Sequence, residues 1–158
     1  MSSAGDGDAG AGPVIVAYDG ATCARNAIGE AGSLIVPGRA AIVLTVWQRF
    51  DLGFIPSEED QLDAADSEQV RRAAERTAAD GAVLADAAGF RSRGVAIEAS
   101  PTWKGIVEFA EEREASLIVL GTHGRARRVD ALLGSVARDV AAHSQRTVLI
   151  AHRRSPSS

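Results

Sequence analysis

Four small residues at fixed spacing mark the part of this chain best suited to chemistry. Gly121, Gly124, Gly134 and Ser135 form the pattern Gly-x2-Gly-x9-Gly-Ser. With 16 glycines among 158 residues, a chain of this composition would carry the pattern about 0.02 times by chance. The chemistry it fits is anion binding. Glycine lets backbone N–H groups approach an anion closely, because no Cβ intervenes. A helix opening near Gly134 would add unpaired N–H groups and the positive end of its dipole. Ser135 supplies a hydroxyl, and Arg125, Arg127 and Arg128 lie between the glycines, where they could balance phosphate charge. The competing reading is a tight turn at the first two glycines and a loop end at Gly134 before an ordinary helix.

Tyr18-Asp19-Gly20 is the second group of interest. It follows an apolar run, Val14 to Tyr18, that reads as the first strand. In open α/β sheets ligands bind beyond the carboxyl ends of the strands, where strand order reverses. If the order is 3-2-1-4-5, Asp19 and Gly121 face each other across that crevice. Asp19 could accept from a ribose hydroxyl or help hold Mg²⁺ bound to phosphates. Equally, it could make an Asp-Gly turn or cap the first helix.

The remaining candidates carry less. His123 is a candidate general base, but no Ser or Cys nucleophile is placed with it in sequence. His143 and His152 read as structural or solvated, and no pair of histidines has metal-ligand spacing. Cys23, the single cysteine, falls near a helix start, where a thiolate would be stabilised; the plainer reading is a small, semi-buried residue. Trp47 and Trp103 read as packing residues. There is no Gly-Lys-Ser/Thr of a Walker A loop. No residue is assigned a catalytic role.

The elements that must position these groups alternate. Five aliphatic runs read as strands: 14–18, 41–46, 95–99, 117–120 and 147–151. Three are nearly continuous apolar runs, the pattern of strands covered on both faces. Helical patterns separate them: Ala24 to Ile35; Asp63 to Ala88, rich in helix formers apart from Asp80 and Gly81; a helix N-capped by Ser100 with Pro101 in its first turn; and one opening at Gly134-Ser135. Such alternation predicts an α/β fold, a doubly wound five-stranded parallel sheet with helices on both faces. Residues 1–12 and 153–158 read as flexible tails flanking one domain over 13–152. The segment 48–57, with Phe50 and Phe54, reads as a loop that could serve as a lid or a partner contact, and Glu58-Glu59-Asp60 as a solvated helix start.

Composition sets the outer limits. The chain is 46% hydrophobic but 4% aromatic, which suits alanine-rich helices on aliphatic strands. A net charge of −4 argues against a nucleic-acid-coating protein, which would usually carry a basic face. One cysteine excludes an intrachain disulfide. No run of about 18 apolar residues is present, so no membrane span is expected. The N-terminus lacks the pattern of a signal peptide, so the expected location is the cytoplasm.

These residues resemble the universal stress protein family over 13–152. The resemblance rests on 16–21 (Val-Ala-Tyr-Asp-Gly-Ala), on Pro101 with 106–110, on 117–124 (Leu-Ile-Val-Leu-Gly-Thr-His-Gly), on 132–137 and on 147–150. The glycine-spaced motif looks like that of the ATP-binding members. The resemblance implies an adenine nucleotide alpha hydrolase-like sheet in order 3-2-1-4-5, with ATP at the switch point. It also implies a homodimer along the last strand, Thr147–Ala151, the kind of exposed apolar edge that otherwise invites unwanted pairing. By position, Asp19 would contact ribose or metal, and the backbone around Val46, near Ala17, would meet adenine. Gly121, Gly124, Gly134, Ser135 and Val136 would line ribose and phosphates, with His123 and Arg125 beside them. Where the family usually has Asp-Gly-Ser this chain has Asp19-Gly20-Ala21, and Ala24 often is Ser; two hydroxyls near the phosphates are lost. The function expected is that of an ATP-binding regulatory module with protein partners that the sequence does not name. A slow ATPase or phosphoryl-transfer enzyme on the same fold, or a structural dimer without nucleotide, are the alternatives.

Overall fold

In the computed structural model, which describes residues 12–49, 64–123 and 133–152, five strands form one parallel sheet. They are β1 (Val14–Ala17), β2 (Ala40–Trp47), β3 (Arg91–Glu98), β4 (Leu117–Gly121) and β5 (Val148–Ala151), in the order β3-β2-β1-β4-β5. Helices α1 (Thr22–Leu34), α2 (Ala64–Ala87), α3 (Thr102–Glu112) and α4 (Ser135–His143) supply the connections. This is the doubly wound α/β arrangement and strand order expected from the sequence.

The two-residue period of a strand divides the core between the two faces. Val14 and Val16 pack with Ala24, Ala27, Ile28 and Ala31 of α1 and with Ala82 and Ala85 of α2. Ile15 points the other way, to Ile106, Phe109 and Ala110 of α3 and Val140 of α4. The run of alanines lets helices lie close on the sheet. Gly81 marks the closest approach of α2: a Cβ there would stand 2.6 Å from Tyr18 Cδ1 and 2.7 Å from Val43 Cγ1. A glycine inside a helix, costly in propensity, is thus needed for packing. Trp47 is buried against Val70 and Ala74 of α2.

The local boundaries differ from the sequence reading in three places. β3 begins at Arg91, not Val95, pairing Ala40 with Arg91 through Trp47 with Glu98. Its first four residues are polar or glycine because β3 is an edge strand, with Arg91 and Arg93 exposed. α1 starts two residues early, which puts Cys23 in its first turn. Ser100 does not cap α3. The N-cap is Pro101, whose carbonyl accepts from Lys104 and Gly105 N–H at 3.2 and 3.3 Å.

At the base of the sheet Arg39 Nη2 donates to the Gly12 carbonyl and to Ser116 Oγ. Arg146 holds Glu111 through two hydrogen bonds of 3.2 and 2.9 Å, tying the start of β5 to α3. Residues 1–11, 50–63 and 153–158 lie outside the described residues. With them go most of the expected tails, nearly all of the two-phenylalanine loop and the acidic run at 58–60. Among the described residues no helix is long and apolar enough to cross a membrane.

Candidate functional site

β1 and β4 are neighbours whose chains leave the sheet on opposite faces, β1 into α1 and β4 toward α4. The split leaves a crevice beyond their carboxyl ends, a cleft of about 600 Å³. Its apolar surface comes from Ala17, Leu44, Val46 and Leu120 of the strands, Ala24 of α1 and Ile106 of α3. Its polar surface comes from Asp19, Thr102, Thr122, His123 and the opening of α4 from Gly134 to Ala137.

Eight of the sequence-predicted residues meet in this one cleft: Ala17, Asp19, Val46, Gly121, His123, Gly134, Ser135 and Val136. They come from three strand ends and one helix start. Gly124 and Arg125, with Arg127 and Arg128, lie outside the described residues.

Asp19 performs the local task that its sequence allowed. Its Oδ1 accepts the Ala21 N–H at 2.9 Å, and Gly20 takes the positive φ of +84° that an Asp-Gly turn here requires. The same side chain borders the cleft. Among the described residues no cluster of three or more His, Cys, Asp or Glu could hold a metal ion. A cation at Asp19 would therefore have to take most of its ligands from phosphate oxygens and water, as Mg²⁺ commonly does.

The opening of α4 is uncapped. Gly134 is the N-cap, without a side-chain hydrogen bond, and no acidic residue occupies the first turn. The Gly134 N–H is committed to the Thr122 carbonyl at 2.6 Å. The groups left to meet an anion are the N–H donors of Ser135, Val136 and Ala137, which have no partner within the helix.

Ladder register exposes a second set of backbone groups. Arg91 N–H donates to Arg39 O and Ala99 N–H to Trp47 O, while Tyr18 N–H donates to Leu44 O. Odd-numbered residues of β2 thus bond toward β3, and even-numbered ones toward β1. β1 is paired only as far as Ala17 with Leu44, and the Tyr18 carbonyl accepts instead from Thr45 Oγ1 at 2.9 Å. The N–H and C=O of Val46 therefore project on the β1 side beyond the end of β1, one donor beside one acceptor in the cleft.

Sequence reasoning missed Thr102, Ile106, Leu44, Leu120 and Thr122. Thr122 was legible within the motif; the others come together only once the helices are laid on the sheet. Elsewhere in the fold, hydrogen bonds from Arg71 hold the Glu68 carboxyl below its ordinary range, and the Ser92 hydroxyl and backbone N–H do the same for Asp86.

A doubly wound parallel sheet with a donor-lined crevice at its switch point defines the class of this protein. The model of the universal stress protein family matches residues 11–152, and the chain belongs to that family. Solved structures agree in fold. The hypothetical protein MJ0577 superposes with a TM-score of 0.74 at 20% identity, over 91% of this chain and 97% of that one. A universal stress protein in complex with cAMP gives 0.59 at 28% identity, over 90% and 98%. The universal stress protein of Archaeoglobus fulgidus in complex with dAMP gives 0.57 at 22%, over 87% and 95%. No curated protein matches the chain significantly in sequence.

Proposed function

We propose that this protein binds an adenine nucleotide in the β1/β4 crevice, with ATP and its Mg²⁺ as the intended ligand, and acts as a nucleotide-dependent regulatory module. The observation that carries the reading is the pairing of two backbone devices in one cleft. At one end the Val46 N–H and C=O offer a donor and an acceptor beside apolar walls, which suits the N1 and N6 edge of adenine. At the other, the open first turn of α4 offers three N–H donors to phosphate. Asp19 lies between, within the strand-end turn, as the acceptor for a ribose hydroxyl. The relatives bound to cAMP and dAMP support the class of ligand. The alanines at 21 and 24 leave the phosphate end dependent on backbone N–H groups, Ser135 and the residues of the glycine-spaced loop.

Base recognition by one donor and one acceptor gives a direct test. Inosine nucleotides present a carbonyl and an N–H where adenine has an amino group and a bare nitrogen. Both Val46 contacts then become like against like. Calorimetric titration should show ITP binding at least about tenfold more weakly than ATP, since unpaired polar groups are penalised at such a site. Equal affinity would overturn the assignment of Val46, and no heat with either would overturn the nucleotide reading.

The two sheet edges also differ in a way that supports a homodimer through β5. The β3 edge carries exposed Arg91, Arg93 and Glu98, charges that discourage further pairing. β5 presents Val148, Leu149 and Ile150, each only partly covered, with no charge among them. Light scattering should give a dimer for the wild-type protein and a monomer for Ile150→Lys. A monomeric wild-type protein at micromolar concentration would overturn the pairing.

A further inference from the structure

Thr102 opens α3, is half-buried, and borders the cleft together with Ile106 one turn further on. Gly105 of the same turn packs on the end of β2, where an added Cβ would stand 3.5 Å from Val46 Cγ1. The start of α3 therefore lies against Val46, at the end of the cleft assigned to the base. A threonine inside a helix can spend its hydroxyl proton on the carbonyl four residues back, as Thr77 does on Ala73 O at 3.0 Å. Thr102 is the first residue of its helix, and the residue four before it, Glu98, ends β3. Its one side-chain hydrogen bond among the described residues is received, from Gln48 Nε2 to Oγ1 at 3.4 Å. The oxygen accepts there, so the hydroxyl proton is left as a donor at the wall of the cleft.

We propose that Thr102 is a specificity-determining residue whose hydroxyl donates to a ring nitrogen of the bound purine, N7 or N3, and that Gln48 is the positioning residue that turns the hydroxyl proton toward the cleft. This rests on reading the crevice as a nucleotide site and deepens that reading. A cytosine ring offers the same neighbouring amino group and bare nitrogen as the N1 and N6 edge of adenine. The two Val46 contacts therefore do not separate adenine from cytosine. When cytosine is laid on that edge, the nitrogen that carries its sugar falls where adenine has N3, and nothing falls at N7. A donor aimed at either position rewards the purine alone.

Calorimetric titration with ATP, 7-deaza-ATP, 3-deaza-ATP and CTP tests the contact atom by atom. One of the two deaza analogues should bind the wild-type protein about fivefold more weakly than ATP, the worth of one neutral hydrogen bond. Thr102→Val, close in shape but without the hydroxyl, should lose the same factor for ATP and for the ratio of ATP to CTP affinity. It should bind that deaza analogue as the wild type does, and Thr102→Ser should restore the wild-type pattern. Gln48→Glu should imitate Thr102→Val, because a carboxylate only accepts and draws the hydroxyl proton away from the cleft. The analogues act on unaltered protein, so the contact is tested even if a variant fails to fold. A merely structural role for Thr102 would weaken ATP and both analogues equally. That equal loss, an unchanged ATP affinity in Thr102→Val, or wild-type protein that binds both analogues like ATP overturns the contact. A Gln48→Glu protein that binds like the wild type overturns the positioning role of Gln48. No heat with any nucleotide in the wild-type protein overturns the reading of the crevice, and the contact with it.

Discussion

Gly134→Asp should reduce ATP affinity by about 100-fold or more, close to 3 kcal/mol, while leaving the protein folded. Gly134 sits at φ −67° and ψ 160°, a conformation open to any L-residue, so the backbone tolerates the change. Aspartate is among the best N-cap residues, and its carboxylate accepts from the second or third N–H of the helix. In α4 those belong to Val136 and Ala137, two of the three donors assigned to phosphate in the proposed site. The substitution therefore closes the anion site with an internal anion. It also sets a negative charge beside the phosphates, and like charges about 4 Å apart near a protein surface repel by roughly 4 kcal/mol before screening. A new cap is worth about 1 kcal/mol of stability. Against that gain, the added Cβ would stand 3.0 Å from the Thr122 carbonyl oxygen and 3.3 Å from His123 Cα. The melting temperature should consequently move by only a few degrees. Gly134→Ala applies the same squeeze without charge or cap, and should lose far less affinity. Titration calorimetry with a parallel thermal melt checks both, and a Gly134→Asp protein that binds ATP like the wild type would remove α4 from the site.

Much of the fold was legible because the central strands are covered on both faces. Val14 to Val16 and Ile118 to Leu120 are continuous apolar runs, since each residue meets a helix whichever way it points. The edge strand β3 was only half legible. Arg91 to Gly94 carry no apolar signal because an edge requires none, and the ladder with β2 holds them in place. Pro101 at the N-cap of α3 was misread for a related reason. Ser100 is a better cap by type, but side-chain preference does not decide where the chain turns.

The cleft was legible where side chains or glycine spacing line it, and illegible where the backbone does. The Gly-Ser motif and Asp19 stand out by type. Val46 is an ordinary strand valine, and its relevance depends on β1 stopping one ladder step short of it. No pattern within β2 records that ending. Ile106 and Thr102 reach the cleft because α3 starts at the carboxyl end of the sheet, a consequence of topology. Gly134 borders the cleft, as the motif suggested, but its own N–H is already taken. That N–H serves the Thr122 carbonyl, and the N–H groups left open by the helix begin one residue later.

Gly121 makes the same point with a different measurable outcome. Read as sequence, it is a glycine that lets the backbone approach phosphate, and Gly121→Ala should weaken ligand binding. In the fold, a Cβ at 121 would lie 2.7 Å from Cys23 O, 2.8 Å from Cys23 C and 3.1 Å from Ala24 N. All three are backbone atoms in the first turn of α1, so no rotamer change relieves the overlap. The end of β4 must move away from α1, or the first turn of α1 must unwind. Overpacking of this kind costs about 1–3 kcal/mol. Gly121→Ala should therefore lower the free energy of unfolding in urea by that amount. ATP affinity should fall with it, by about tenfold, because Ala24 and Thr122 border the cleft on the two sides of the disturbed contact. The pair of glycine variants is thus expected to separate: Gly134→Asp removes binding at nearly constant stability, and Gly121→Ala lowers both. If Gly121→Ala keeps full stability and loses only affinity, the room beside Gly121 is reserved for the ligand and not for α1, and the packing account of the motif's first glycine is wrong.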